Sequence, residues 1–211
     1  MLANIRLTGH HLVSPSVPCL PELKIRYNAP VVLSFSLLCL GVMMACSVLP
    51  PLRALFFVPS SQGFSFSSPL NWFRLVSHAI GHASWEHLWG NLSFILLLGP
   101  ILEEKHGSTG LLAIMMLTAA VTGILNAMFF STGLLGASGI VFMMIVLVSI
   151  TNIRSGEIPL SFLLVAALYV VKEFFAGFSN DQVAHAAHLA GGACGSLFGF
   201  LTTRGRARNG R

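Results

Sequence analysis

Long apolar windows occupy most of this chain and leave little of it for a soluble fold. A helix that crosses a bilayer needs about 20 mostly apolar residues. Charged residues make up 9% of the sequence, against about a quarter in ordinary soluble domains. The sequence therefore predicts an all-α membrane protein with six transmembrane helices, in windows at roughly 30–52, 86–102, 110–131, 136–152, 159–176 and 185–203.

Prolines, glycines and charged residues separate these windows. Pro30 precedes the first window, Pro50-Pro51 ends it, the run 103–107 ends the second, and 155–159 separates the fourth from the fifth. The connection 53–85 is long, rich in Phe and Trp and poor in charge, a composition typical of the membrane interface. We therefore expect a structured, membrane-embedded first loop.

The basic residues predict the orientation of the chain. Cytoplasmic loops of membrane proteins are enriched in Lys and Arg, so both termini are predicted to be cytoplasmic, in an inner (cell) membrane of bacterial type. Residues 1–29 are then a short extension, 30–203 the membrane domain and 204–211 a basic tail. Nine of the twelve basic residues are on the predicted cytoplasmic side: Arg6, Lys24, Arg26, Lys105, Arg154, Arg204, Arg206, Arg208 and Arg211.

The composition also argues against several classes of protein. The net charge of +5 comes from residues that flank apolar windows, so it does not indicate nucleic-acid binding. The first 28 residues lack the apolar core of a signal peptide. The four cysteines form no CxxC pair and no metal-ligand spacing. We expect no disulfide framework and no metal site.

Ser138 is a polar residue in an apolar window, flanked by Gly136 and Gly139. The glycines remove side-chain bulk and let other groups approach the hydroxyl. Buried polar groups cost several kcal/mol when unpaired, roughly 2–7 by transfer data, so an intramembrane Ser usually has a partner or a function. Packing between helices is the alternative role for a serine between glycines.

His188 is the candidate partner of Ser138. It shares a helical face with Gly191, Gly195 and Gly199, and small residues at this spacing let transmembrane helices approach closely. If this face packs on the fourth helix, His188 is the base that a Ser nucleophile needs. Because neither window contains an acidic residue, the pattern predicts a dyad rather than a triad.

His87 and Asn91 form a second pair, spaced i, i+4 and so on one face of the second helix. Acyl transfer needs donors aimed at the oxyanion, and these side chains with the Ser138 N–H can supply them. His78 and His82, again i, i+4, could line a polar entrance for water.

The histidines allow other interpretations. His78, His82, His87 and His188 could form a proton relay in a transporter of protons or small solutes. Metal binding is disfavoured because Glu86-His87 lacks the second His of the His-Glu-x-x-His pattern. A non-catalytic binder of membrane segments is the third possibility.

Taken together, the motifs resemble the rhomboid intramembrane serine proteases over about residues 70–203. The stretches that carry the resemblance are Trp72-Phe73-Arg74, Ser77-His78-Ala79-Ile80-Gly81-His82, His87-Leu88-Trp89-Gly90-Asn91, Glu104-Lys105-His106-Gly107-Ser108, Gly136-Ala137-Ser138-Gly139 and His185-Ala186-Ala187-His188-Leu189-Ala190-Gly191-Gly192.

This resemblance implies a role for each matched residue. Ser138 corresponds to the nucleophile, His188 to the base, and His87 with Asn91 to the oxyanion-stabilising pair. Phe142 stands where bacterial relatives carry a Tyr that stacks on the catalytic His, so the ring is kept and the hydroxyl is lost. The resemblance implies a six-helix rhomboid-like bundle, transmembrane protein substrates that enter from the lipid bilayer, and no cofactor.

Overall fold

The computed structural model describes residues 27–153 and the helical positions 160, 164, 167, 171, 190–195, 197 and 198. These residues contain no β-strand, and their one isolated β-bridge joins Val58 to Leu134. Two 3₁₀ helices, Pro50–Phe56 and His78–Ile80, accompany five α-helices: α1 (Pro30–Val48), α2 (Pro69–Ser77), α3 (Trp85–His106), α4 (Ser108–Phe129) and α5 (Ser138–Ile153).

Four of the predicted helices are present, with shifted ends. The first ends at Val48 and not near residue 52, because a residue that precedes proline, here Leu49, disfavours helical geometry. The second continues beyond its expected end to His106. The fifth and sixth windows lie mostly outside the described residues, so the count of six remains a prediction. By length and composition, α1 and α4 could each cross a membrane, and Ser138–Ser149 is a shorter apolar helix.

The start of α1 is held by a carboxylate from another helix. Pro30 has no N–H, and the next two amides, of Val31 and Val32, donate to the two carboxylate oxygens of Glu103 at 3.0 and 3.1 Å. Ser108 donates its hydroxyl to the same carboxylate at 2.7 Å. Glu103 is only 5% exposed. Therefore α1 and α4 begin, and α3 ends, at one end of the molecule.

Helix α5 lies at the centre of the core. Its first eleven residues are mostly buried, and a helix that is apolar on all sides is stable only when other elements surround it. It packs against α3 and α4. The largest fully buried side chains of the three helices are Leu88, Ile95 and Leu102 on α3, Leu111, Ile114 and Met115 on α4, and Val141, Met143, Met144 and Leu147 on α5.

The predicted structured loop is confirmed as an ordered segment that contains α2 and both 3₁₀ helices. Arg74 donates from Nε to the Ala54 carbonyl at 2.7 Å, and Ser77 donates its hydroxyl to the Leu55 carbonyl at 2.7 Å. At Gly123 of α4, a Cβ atom would collide with the Leu75 carbonyl oxygen, so the glycine allows α2 to lie directly on α4. The segment is therefore fixed both to itself and to the helical core.

This segment also holds the loop that leads into α5. Val58 and Leu134 exchange two backbone hydrogen bonds of 3.0 Å, and Asn126 donates from Nδ2 to the Pro59 carbonyl at 3.1 Å. The Gly136 N–H donates to the His78 carbonyl at 3.0 Å. The position of residues 134–137 is thus determined by contacts with the segment between α1 and α3.

We expect Glu103→Gln to destabilise the protein because one carboxylate oxygen becomes an NH₂ that cannot accept an N–H. An unsatisfied buried donor costs about 1–3 kcal/mol. The matched control is Glu104→Gln, because Glu104 is the exposed neighbour. Thermal unfolding in detergent should give a clearly lower midpoint for Glu103→Gln alone, and equal midpoints would contradict the capping role.

Candidate active site

Ser138 is the first residue of α5 and is partly buried. The Val141 N–H donates to the Ala137 carbonyl at 3.0 Å, which begins the hydrogen bonding of the helix. Amides in the first turn of a helix have no acceptor within it, and the helix dipole makes this end positive. Ser138 therefore lies at a helix end whose backbone N–H groups are suited to a developing negative charge.

The His87 imidazole lies over Gly136, two residues before Ser138. A Cβ atom at Gly136 would come within 2.5 Å of His87 Cε1 and 2.9 Å of Nε2. Gly136 also has φ +126°, which side-chain-bearing residues rarely adopt. Both observations require glycine at this position. The two predicted site residues are therefore in contact, although they are 49 positions apart in the chain.

Ser84 determines where His87 falls on α3. Its hydroxyl caps the helix by accepting the His87 N–H at 3.2 Å, so His87 lies in the first turn. Asn91 follows one turn later and is 5% exposed. Its Nδ2 has no hydrogen-bond partner among the described residues. A buried amide donor without a partner is costly, about 1–3 kcal/mol, and is therefore available to a ligand.

His82 lies edge-on to His87, with ring centroids 5.2 Å apart and an interplanar angle of 70°. It is 2% exposed, and the Ile80 backbone gives its ring at most one weak hydrogen bond. Burial, with a smaller contribution from His87, lowers the pKa of the His82 imidazole to about 4. At neutral pH this ring therefore offers one donor and one acceptor.

His78 contacts the backbone on two sides. Its Nε2 is 3.1 Å from the Ala119 carbonyl oxygen of α4, and its own carbonyl accepts the Gly136 N–H. Burial lowers the pKa of the His78 imidazole to about 4, so the ring is neutral and can donate to that carbonyl. His78 therefore positions the loop before Ser138.

Three further polar residues lie on α4, on the helix face where Thr122 meets His78. None of them belonged to the motifs found in the sequence. Thr118, Thr122 and Asn126 are buried at intervals of four and so share one face. The Thr122 hydroxyl is 3.5 Å from His78 Nε2. Thr118 is hydrogen-bonded to the Cys194 thiol, and Asn126 Oδ1 has no partner among the described residues. Their regular spacing in an apolar window was the signal that could have revealed them.

The helical residues 190–195 pack directly on α5. A Cβ atom at Gly191 would collide with the Gly139 carbonyl oxygen, and one at Gly195 would come within 2.6 Å of the Met143 carbonyl oxygen. The ring of Phe142 lies against Gly192, since a Cβ there would be 2.8 Å from its Cε1. The neighbour of the glycine face is thus the helix that carries Ser138. His188 and Gly199 lie outside the described residues.

Comparison with known proteins decides the family. The Rhomboid domain matches residues 69–205, well over half of the chain. The chain belongs to the rhomboid family. The predicted family membership is thereby confirmed, and with it an integral membrane protein. The matched region contains Ser138 and both helices that contact its loop, α3 and α4.

Curated relatives agree with this rhomboid assignment. The chain is 28% identical over 183 residues to "Rhomboid protease GlpG" of Yersinia pestis (strain Pestoides F). It is 30% identical over 184 residues to the protein of the same name from Serratia proteamaculans (strain 568). Each alignment covers 85% of this chain and 65% of the relative. The chain therefore spans just under two thirds of the length of these relatives.

We expect Gly191→Val to separate residues 190–195 from α5, because its side chain would meet the Gly139 carbonyl. Overpacking of a close contact typically costs about 1–3 kcal/mol. Ala193→Val is the matched control, since Ala193 is exposed on the same helical stretch. Thermal unfolding in detergent should show a large decrease for Gly191→Val only. Similar midpoints in both variants would contradict the close packing.

Proposed function

We propose that this rhomboid protein is a serine endopeptidase that hydrolyses peptide bonds in or near transmembrane segments of other membrane proteins. Ser138 and His188 form the catalytic dyad. The observation that carries the proposal is the contact of His87 with Gly136, which brings a proposed oxyanion donor beside the nucleophile loop. The names of the curated relatives, which describe rhomboid proteases, support the same activity.

The packing of the glycine face supports the dyad. Gly191 and Gly195 lie against carbonyl groups of α5. His188 precedes Gly191 by three residues in the sequence, and the proposal places both on one face of the same helix. A histidine there would lie beside the start of α5. In the proposed reaction Ser138 Oγ attacks the substrate carbonyl carbon while His188 takes the hydroxyl proton. His188 then gives this proton to the departing amine, which leaves an acyl-enzyme.

The oxyanion of the tetrahedral intermediate is held by three donors in this proposal: His87, Asn91 and the Ser138 N–H. Asn91 Nδ2 has no acceptor among the described residues, which supports the assignment, because a preorganised donor stabilises charge that appears only during the reaction. Gly136 leaves room for the His87 ring beside the nucleophile loop. Phe142 provides a ring that lies against Gly192.

Hydrolysis of the acyl-enzyme requires water at a site surrounded by apolar residues. Buried polar atoms without protein partners are places where water is retained. Within the described part of the chain, Asn126 Oδ1 is such an atom, and His82 and His78 Nδ1 have at most weak backbone partners. We propose that these side chains form the polar route by which water reaches Ser138.

The proposal also includes the arrangement of the helices and the route by which the substrate enters. A six-helix bundle with a membrane-embedded first loop would surround α5 and allow the substrate to enter laterally from the bilayer. Such a substrate must unwind locally, because a helix shields its carbonyl groups. The distribution of Lys and Arg supports cytoplasmic termini, and the bacterial relatives support a bacterial inner membrane.

Substitution of the dyad tests the activity. With a generic transmembrane substrate in detergent, we expect Ser138→Ala and His188→Ala each to reduce cleavage by on the order of 10³-fold or more, because neither residue of such a unit works alone. Ser149→Ala is the control, since Ser149 lies on α5 and donates to the Ile145 carbonyl. Cleavage that persists in either dyad variant rules out the assignment.

The same variants distinguish the peptidase from the two alternative functions, a histidine relay and a non-catalytic binder. A histidine relay predicts proton or solute flux across sealed vesicles, with no cleavage and no loss in Ser138→Ala. A non-catalytic binder predicts that substrate binding, again without cleavage, survives the loss of Ser138. Covalent labelling of Ser138 by a fluorophosphonate is expected only of the peptidase.

We further expect Asn91→Ala to lower kcat by on the order of 10²–10³ while leaving KM nearly unchanged, because the amide acts on the transition state. Ser93→Ala is the control: Ser93 is exposed on the same helix and donates to the Trp89 carbonyl. An increase in KM alone would mean that Asn91 binds substrate and does not stabilise the oxyanion.

A further inference from the structure

A cavity of about 730 Å³ lies between α1, α2 and α4. Its walls are formed by apolar side chains, among them Leu38 on α1, Trp72 on α2 and Met116 on α4. Neither Ser138 nor His87 is among its lining residues, so this cavity, which we call the α1–α4 groove, is separate from the candidate active site. A void of this size and composition would be unstable if it were empty.

The groove has the depth of one bilayer leaflet. On α4 its wall runs from Ser108 to Ala119, about 16 Å at 1.5 Å per residue. Half of a bilayer's hydrocarbon thickness is about 15 Å. Because Glu103 binds the starts of both α1 and α4, the groove begins at the end of the molecule where these helices enter the membrane.

The groove is continuous with the surface that meets lipid. Leu38 and Met116 line it and are each about half exposed, at 51% and 49%. Their neighbours Leu37 and Leu117 are exposed on the same two helices but do not line it. An acyl chain can therefore pass from the surrounding bilayer into the groove without crossing a polar barrier.

Hydroxyl groups lie at the shallow end of the groove. Ser34 lines it one turn from the start of α1, and its Oγ is 2.8 Å from the exposed Tyr27 hydroxyl. Ser108, at the start of α4, lines the same end. The Ser108 hydroxyl proton is used by Glu103, whereas the Tyr27–Ser34 pair keeps one hydroxyl proton that can be donated to an ester oxygen of a lipid whose chain extends toward α2.

We propose that the α1–α4 groove is a binding site for one acyl chain of a phospholipid. The lipid belongs to the leaflet in which α1 and α4 begin, its ester region lies near Tyr27 and Ser34, and its chain ends against α2. The bound chain packs against α2 from the side on which α1 and α4 begin. Since α2 is followed directly by His78, which holds Gly136, lipid in this groove stabilises the segment that positions Ser138.

Native mass spectrometry of the full chain tests the site, with palmitoyl-oleoyl-phosphatidylglycerol as the added lipid. The double variant Leu38→Trp/Met116→Trp fills the groove, and Leu37→Trp/Leu117→Trp adds the same bulk outside it. We expect one retained lipid per chain in the wild type and the control. Occupancy should fall by at least about tenfold in the filled variant, because the two indole rings take the space that the acyl chain needs, and a loss of about 1.4 kcal/mol in binding is already tenfold.

Smaller substitutions provide a second test in case the tryptophan variants misfold. Met116→Phe should reduce lipid retention relative to Leu117→Phe, with both proteins unfolding at the wild-type temperature when no lipid is added. Equal retention in both pairs, or no retained lipid in the wild type, overturns the proposal. Retention only after removal of residues 1–26 also overturns it, because that segment would then occupy the groove. None of these readouts depends on peptidase activity.

Discussion

The backbone of this protein must find its hydrogen-bond partners inside the protein wherever it leaves a helix at membrane depth. Lipid offers no donors or acceptors, so each unsatisfied group would cost several kcal/mol. The start of α1 meets this requirement through Glu103, whose carboxylate accepts the Val31 and Val32 amides. One side chain thereby fixes the relative positions of three helix ends.

The same requirement connects the irregular segments around Ser138. The Val58–Leu134 bridge and the Gly136–His78 hydrogen bond satisfy backbone groups of two segments at once. Because these bonds run between the first loop and the loop before α5, the first loop becomes part of the nucleophile's support. His78 thus links the end of α2 to the loop before Ser138 by a hydrogen bond.

Close packing by glycine complements this network. Gly123 brings α2 onto α4, Gly136 accommodates the His87 ring, and Gly191 brings the last helical stretch onto α5. Each contact uses space that a single methyl group would fill. The proposed chemistry therefore rests on a scaffold in which side-chain volume is removed at the points where elements meet, while the α1–α4 groove is left wide enough for lipid.

The sequence by itself determined the membrane class, the places of four helices and part of the group of polar residues that the structure brings together. These features follow from local composition and spacing, so apolar length predicted α1 and α4, and i, i+4 spacing paired His87 with Asn91. The family resemblance rested on the same residues.

Only the tertiary structure decided which groups meet. Glu103 belonged to a charged run that we expected to end a helix, yet it is buried and caps another one. His78 binds the Ala119 carbonyl of α4, whereas Asn91 Nδ2 finds no acceptor among the described residues. Thr118, Thr122 and Asn126 gained significance only beside His78. The physical reason is that a polar side chain's partner lies on another helix, and sequence spacing carries no information on how helices pack.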